Sequence, residues 1–550
     1  LLRLWGETLR DLARTAPREH LAQVRQDVAY ALRMLRRTPA FTAVAVATLA
    51  TGIGASTAIF SVVHAVLLRD LPYGGTERLA MLWNHWPGSD KSGLSYPELL
   101  DFRERLTSVD VASWAGGAAT LLGRGDPERL ATAAVSPNLL DVLGVRPALG
   151  RAFLPEEERR GEGQVVILTH DLWQRRFNGD PAIVGQPVTL DGAPHVVVGV
   201  LPAGFRLPND FGAQERTALL EPLTVDVGAP RHERGTHFLR AAARIRPGST
   251  LAQAQAEVDA VTKAWETEYA GEYDPGYGAT LRPVRADIVG DIRPALLMLF
   301  GAVSLVLLIA CANVANLLLA RGRVRAREIA IRAAIGASRA RLVRQVITEA
   351  LVLAGIAAAL GVVLAQLLTQ AMARTAPGIP RVDEVALDAA VLAFAAAVAV
   401  LTALVFGTLP ALEHARGNVS GGLQDGRSGA APVPHAVRAG LVAAQVSLAF
   451  VLLVGAALLV QSFVRLTGVP AGFDPEQVLT MRISVPSDGY RDRARAVAFF
   501  EALFERLRAL PGVRAAGGVT NLPLGDPIGD WDFYLPGETP DSDGSDRAAD

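Results

Sequence analysis

The chain has 550 residues, room for several domains, and half of them are hydrophobic. Its mean hydropathy is positive, which is high for a purely water-soluble protein. A net charge of −1 excludes the global basic surface that nucleic acid would require. The single cysteine, Cys311, excludes both an intramolecular disulfide framework and a multi-cysteine metal site. Among the basic residues only Lys91 and Lys263 are lysines; this reads as coding bias and assigns no function.

In chain order, residues 1–40 come first. The opening LLRLWGETLR has no initiator methionine, and the far end, PGETPDSDGSDRAAD, is acidic and Gly-rich. Both are expected to be cuts within a longer protein. Leu21, Val24, Val28, Leu32 and Leu35 recur at helical spacing with arginines at other positions. Such a helix would lie on the inner membrane surface, pack on protein, or do both.

A bilayer core of about 30 Å needs about 20 apolar residues in a helix. Five stretches qualify. Residues 41–68 are free of acids, lysines and arginines, and are too long for a signal-peptide core. Residues 295–320 lie between Arg293 and Arg321, and residues 346–373 carry one acid, Glu349, near their start. Residues 389–412 lie between Asp388 and Glu413, and residues 439–464 between Arg438 and Arg465. One such run fits a buried core helix; five predict an integral membrane protein.

Arginine on the short connections sets the direction. Arg25, Arg33, Arg36 and Arg37 stand against Asp27 before the first span. The connection 321–345 carries Arg321, Arg323, Arg325, Arg327, Arg332, Arg339, Arg341 and Arg344 against Glu328 alone. RTAPGIPRVDEVALD, between the third and fourth spans, is slightly acidic. Both basic segments therefore face the cytoplasm. Residues 69–292 and 465–550 lie outside, and 413–438 form a cytoplasmic Gly/Pro-containing linker.

The outside segment 69–292 reads as α+β with more than one subdomain. GQVVILTH is a buried strand and DLWQRRF a short helix. PVTLDGAPHVVVGVLP is a hairpin turning at Asp191 and Gly192. FLRAAARIRPGSTLAQAQAEVDAVTKAWETEY is a strand, a cap at Ser249 or Thr250, and an amphipathic helix. His232 and His237 are five apart in RHERGTH, not the i, i+4 spacing of a helical metal pair, and are placed on a surface loop. Glu156, Glu157 and Glu158 read as a solvated face or helix start. HExxH and GxSxG do not occur. A phosphate-cradling loop needs glycines before Lys and Ser or Thr, but Asp90 precedes Lys91 and Thr262 precedes Lys263. The chain is therefore expected to be no enzyme and to bind no cofactor, any ATPase activity belonging to a partner.

YALRMLRRTPAFTAVAVATLATGIGASTAIFSVVHAVLLRDLPY resembles the start of MacB/FtsX-type ABC transporter permeases, with its closest likeness to the duplicated-permease (ADOP) family. VSPNLLDVLGVRPALGRAF, VVILTHDLWQRRFNGDPAIVGQPVTLDG and HVVVGVLPAGF resemble that family's extracytoplasmic core domain. LIACANVANLLLARGRVRAREIAIRAAIGASRARLVRQVITEALVLA is similar to its second span, cytoplasmic connection and third span. The organisation repeats: after the linker, a basic flank, a long span and the start of a second outside domain follow.

The resemblance implies an α-helical integral membrane protein, five spans in this chain, with a large α+β extracytoplasmic domain and the start of a second. It implies a multi-pass protein of the bacterial plasma (inner) membrane with its N-terminus in the cytoplasm. A separate cytoplasmic ABC ATPase, a dimer, would hydrolyse ATP, and movement would pass through stalk-like helices to the outside domains. Substrate would be handled at or beyond the outer face, for export or envelope remodelling, with an extracytoplasmic protein as a further partner. Arg327, Glu328, Arg332, Gly336, Ala337 and Ser338 match the family's coupling motif, read as a short helix along the inner face. Ile329, Ile331 and Ile335 would dock on the ATPase or the membrane. From composition alone, these arginines fix topology and the glycine ends a helix. Asn313 and Asn316 also match and are read as helix-packing contacts. The competing function is a regulatory membrane protein that uses ATP-driven motion to control an outside partner and transports nothing. An ion-coupled transporter is disfavoured, since four spans carry no formal charge and Glu349 sits near the inner end of its own.

Overall fold

The structure, a computed structural model, describes residues 17–519 except 124, 159–163, 212, 214, 225–233, 271–272, 274–275, 291, 335–338, 376–379, 417–434, 470–476, 482, 484 and 486–492. The chain divides into two compact units, residues 1–69 with 292–469 and residues 70–291 with 470–550.

Helix α1 (Pro17–Arg37) is separated from α2 (Pro39–Val63) by Thr38 alone, at φ −132° and ψ 68°. Pro39 makes this break: its ring disfavours helical backbone at the residue before it, yet suits a helix's first turn, where an N–H is not needed. Thr42 Oγ1 donates to the Leu35 carbonyl across the break at 2.8 Å and pins the elbow. At its far end α2 passes into a π-helical turn, His64–Leu68.

In the second unit follow β1 (Leu79–Trp86), β2 (Ser89–Ser92), α3 (Tyr96–Arg105), β3 (Val109–Leu122), β4 (Glu128–Val135), α4 (Leu139–Leu143) and β5 (Leu149–Gly150). Then come β6 (Val165–Leu168), α5 (His170–Phe177), β7 (Pro187–Leu190), β8 (Ala193–Val200) and β9 (Leu219–Pro222). The unit continues with β10 (Arg240–Ile245), α6 (Leu251–Glu268), β11 (Gly278–Pro283) and α7 (Val284–Val289). The strands form one mixed sheet in the order β11-β1-β10-β3-β4-β9-β6-β8-β5, with β2 beside β1 and β7 beside β3 and β8. Among the described strands, only the β4–β9 and β6–β8 pairs are parallel.

Strand alternation fills both faces of the central strands. Ala80 and Leu82 of β1, Ala241 and Ala243 of β10, and Val109 and Val111 of β3 face α3 and α6, against Leu99, Phe102, Val258 and Trp265. Their neighbours Leu79, Met81, Ala242, Ala112 and Trp114 point the other way, toward Leu139, Phe153 and Leu207. The turn of the β7–β8 hairpin has Asp191 at φ 50° and Gly192 at φ 91°, the left-handed pair that a two-residue turn of the tight type requires. Thr250 caps α6 in a capping box with Gln253. The acidic run forms the expected helix start, a 3-10 turn at Pro155–Glu158, but it is not a wholly solvated face. Glu157 is buried, accepts two hydrogen bonds from Arg151 at 3.0 and 2.6 Å, and accepts from the Leu154 N–H at 2.8 Å. A partner six residues upstream turns one acid of the run inward.

The membrane unit is completed by α8 (Arg293–Ala334), α9 (Arg339–Thr375), α10 (Ala389–Arg416) and α11 (His435–Thr467); α12 (Arg493–Arg508) belongs to the other unit. Among the described residues four helices are long and apolar enough to cross a membrane: Pro39–Leu68, Arg293–Leu318, Val343–Thr375 and Val442–Thr467. The described apolar part of α10, Ala389–Val405, is shorter than these four. Leu49 and Ile53 of α2 pack with Val314 of α8, Leu353 and Ala357 of α9, and Ala403 of α10. Of the two asparagines expected as packing contacts, Asn316 is half-buried but Asn313 is exposed on α8.

Candidate functional site

The arginine-rich connection is not a separate short helix. α8 runs unbroken for 42 residues, from Arg293 to Ala334, about 63 Å at 1.5 Å per residue. This is about twice the hydrocarbon thickness. Arg327, Glu328, Ile329, Ile331 and Arg332 are therefore turns of the same helix that holds the second span. Nothing in RGRVRAREIAIRAA breaks a helix: it has no proline, and its one glycine, Gly322, is tolerated inside a long helix. Ile335, Gly336, Ala337 and Ser338 lie outside the described residues.

Beyond the connection, α9 binds α1. Arg344 Nε donates to Asp27 Oδ2 at 3.0 Å, and its Nη1 donates to Gln23 Oε1 at 2.8 Å. Asp27 is thereby turned toward the bundle. Farther along, α2 and α9 meet through glycine. A Cβ on Gly54 would stand 2.8 Å from the Gly361 carbonyl oxygen, and one on Gly361 would stand 3.1 Å from both Gly54 N and Ala50 O. Lipid gives no hydrophobic drive between helices, so close backbone approach at small residues supplies the contact. Gly52 does the same against α8, where a Cβ would reach Ala310 Cβ at 3.3 Å.

At the opposite end from Arg344, the connection between α9 and α10 holds the π-helical end of α2. Arg381 is fully buried, at 2% exposure, with φ 61°. Its Nε and Nη2 donate to Glu384 Oε2 at 3.1 and 2.8 Å, and its Nη1 donates to the Arg69 carbonyl at 2.8 Å. Arg69 Nη1 returns a bond to the Glu384 carbonyl at 3.4 Å. Asp388 caps α10 through the Val391 N–H at 3.0 Å and lies 3.4 Å from His64 Nδ1. A buried guanidinium is tolerable only when paired in this way. Helix α9 thus carries a polar tie to α1 near one end, a glycine contact with α2 between, and a loop that clamps the end of α2 at the other.

The sheet domain has its own buried polar centre. The Glu98 carboxylate is 0% exposed and accepts from Asn84 Nδ2 at 2.8 Å, the Ser95 N–H at 2.8 Å and the Tyr277 hydroxyl at 2.5 Å. His237 Nε2 lies 3.4 Å away. Burial alone would raise the carboxyl's pKa, but the His237, Tyr277 and Ser95 contacts outweigh it and hold it below its ordinary value. The Tyr277 hydroxyl is pushed up by burial and by the Glu98 charge. Arg234 donates to Asp101 Oδ2 at 2.8 Å and to the Tyr273 hydroxyl at 3.1 Å, and its guanidinium stacks 3.5 Å over the Tyr269 ring. His237 is therefore no surface histidine. Leu239 pairs with Leu94 ahead of β10, and this swings His237 in beside Glu98. His232 lies outside the described residues. Among those described, no group of three or more His, Cys, Asp or Glu is placed to hold a metal ion.

Comparison with known proteins adds the following. Residues 42–261 match the family model of the MacB-like periplasmic core domain, and residues 300–419 that of the FtsX-like permease C-terminal domain. The macrolide export ATP-binding/permease protein MacB of Burkholderia thailandensis is 28% identical over 42% of this chain and 34% of its own length. MacB of Rhodospirillum rubrum is 29% identical over 56% of this chain and 47% of its own. The pyoverdine export ATP-binding/permease protein PvdT of Pseudomonas syringae pv. tomato is 26% identical over 49% of this chain and 39% of its own. The matched stretches thus span between a third and a half of these relatives.

Proposed function

This chain belongs to the MacB/FtsX-type ABC transporter permeases, and we propose that it is the membrane subunit of a mechanotransmission transporter. In this reading it couples ATP hydrolysis by a separate cytoplasmic ATPase, a dimer, to movement of its extracytoplasmic domains. The work done is export or envelope remodelling. The chain crosses the inner membrane five times with its N-terminus in the cytoplasm, residues 389–412 making the fourth crossing, and forms one permease unit plus the start of a second. ATP binding and hydrolysis belong to the partner.

The observation that carries this reading is the continuity of α8 and the ties along α2 and α9. A force applied at Arg327 to Arg332 acts on a helix about 63 Å long, rigid by its own backbone hydrogen bonds. The connection then returns through α9, whose Arg344 holds α1, whose Gly361 touches α2, and whose following loop clamps the end of α2 at Arg69. Arg327, Glu328, Ile329, Ile331, Arg332, Gly336, Ala337 and Ser338 are the residues assigned to contact with the ATPase.

The test is co-purification. Full-length protein extracted in mild detergent should bring down an ABC ATPase identifiable by mass spectrometry. A Glu328→Ala/Gly336→Trp variant of equal abundance should lose it. Intact wild-type protein with no ATPase under several mild conditions would overturn the proposal and favour a regulator that moves nothing.

A further inference from the structure

Helix α1 has three sides. Asp27, Ala31 and Leu35 turn toward the bundle: Ala31 is 0% exposed, Leu35 packs on the core, and Asp27 is held by Arg344. Next to this side, Val24 and Leu32 are exposed, at 47% and 39%. Beside that strip stand exposed Arg25, Arg33, Arg36 and Arg37. Helical spacing puts Arg25 and Arg36 on the flank of Leu32, seven residues before it and four after. Of the two acids of α1, Glu19 lies six residues before Arg25 and Asp27 is occupied by Arg344.

The position of the helix gives the occupant. Thr38 and Pro39 form a fixed elbow, and the first apolar span begins at Phe41, within one turn of Arg36 and Arg37. That is the depth at which phospholipid headgroups lie. An exposed apolar strip with arginines along its border is the pattern of a helix lying in the interface, side chains in the acyl boundary and guanidiniums on phosphate. Guanidinium binds phosphate in a two-pronged way that water does not match.

We infer that α1 is a binding surface for anionic phospholipid headgroups, with Arg25, Arg33 and Arg36 on the phosphates and Leu32 seated among the acyl chains. The surface belongs to the leaflet on the side of the α8–α9 connection, whichever ATPase or cargo the permease serves. Because Arg344 follows that connection and holds Asp27, lipid bound on α1 sits one ion pair away from the proposed coupling segment.

The test uses the full chain in detergent, offered equal amounts of dioleoylphosphatidylglycerol and dioleoylphosphatidylcholine, with retained lipid read by native mass spectrometry. Each arginine near an anionic surface contributes about fivefold, so Arg25→Gln/Arg33→Gln/Arg36→Gln should lower the phosphatidylglycerol preference by about tenfold or more. The corresponding triple lysine variant should keep most of it. Raising NaCl from about 50 mM to about 500 mM should weaken the wild-type preference, which needs no variant to fold. A glutamine variant with wild-type preference and unchanged helicity, or a wild-type preference indifferent to salt, overturns the inference.

Discussion

The sheet domain and the membrane bundle close their interiors with side chains of opposite size. In the sheet domain the largest residues do it: Trp114, Phe102 and Trp265 are all 0% exposed. In the bundle neighbouring helices approach closely at Gly52, Gly54, Gly361 and Gly407. The reason is the solvent. Water drives apolar area out of contact with itself, so each large side chain buried in the domain stabilises by about 1.5–3 kcal/mol. Lipid offers no such drive between helices, and close backbone approach takes its place. Unpartnered buried polar atoms occur in both units among the described residues: the Ser56 and Thr57 hydroxyls of α2, and Asn84 Oδ1, Ser113 Oγ and Trp265 Nε1 in the sheet domain.

This contrast can be broken at several points, the largest effect first. Trp114→Ala should destabilise the sheet domain by about 3–5 kcal/mol, since a fully buried ring is lost and Asn209 Oδ1 loses its indole donor. Limited proteolysis should then cut the domain while leaving the membrane helices intact. Equal sensitivity of both units would mean that they do not close independently.

Glu98→Gln should cost about 2–3 kcal/mol, because the charge that Asn84, Ser95 and Tyr277 converge on is removed. It should also change the acid response. The folded carboxyl is more acidic than the unfolded one, so the folded state binds fewer protons, and stability falls as pH drops below about 4.3. Glu257 behaves alike: it accepts the Thr107 and Ser108 N–H groups and is pulled down to about 2, so its contribution is lost between pH 4.5 and about 2. Thermal melts across this range should show wild type losing more than Glu98→Gln. Parallel curves would remove Glu98 from the account.

Gly54→Val should push α2 from α9, costing about 1–3 kcal/mol by overpacking, because even the first carbon meets a carbonyl at 2.8 Å. Spin labels on the two helices should report a wider gap. An unchanged gap would mean that the glycines merely fill space. Arg344→Gln should change stability least, by at most about 1 kcal/mol for a partly exposed ion pair, yet it should lower ATP-driven movement. Normal movement would take α1 out of the path.

Local features were legible in the sequence and distant pairings were not. Asp191-Gly192 demanded a tight turn, Thr250 announced a helix start, and the apolar runs announced helices, because each depends on neighbours in the chain. Asp27 and Arg344 are 317 residues apart, and nothing in either segment names the other. Arg381 and Glu384 read as a slightly acidic connection, and only the fold shows them holding the end of α2. His237 was misplaced for a similar reason: its burial depends on Leu94 and Glu98, far back in the chain. Of the proposed coupling segment, the sequence displayed the residues but not that the second span continues into them without a break.

The central claim is that hydrolysis on one side of the membrane moves a domain on the other. Cys311 is the single cysteine and is buried, so a Cys311→Ser background permits paired spin labels at exposed Leu68 and Leu100. Pulsed dipolar distances would be measured in the permease–ATPase complex in lipid nanodiscs, with and without ATP. The account predicts a distance distribution that shifts on ATP binding and returns after hydrolysis. Identical distributions in both states, with the ATPase turning over, would contradict it.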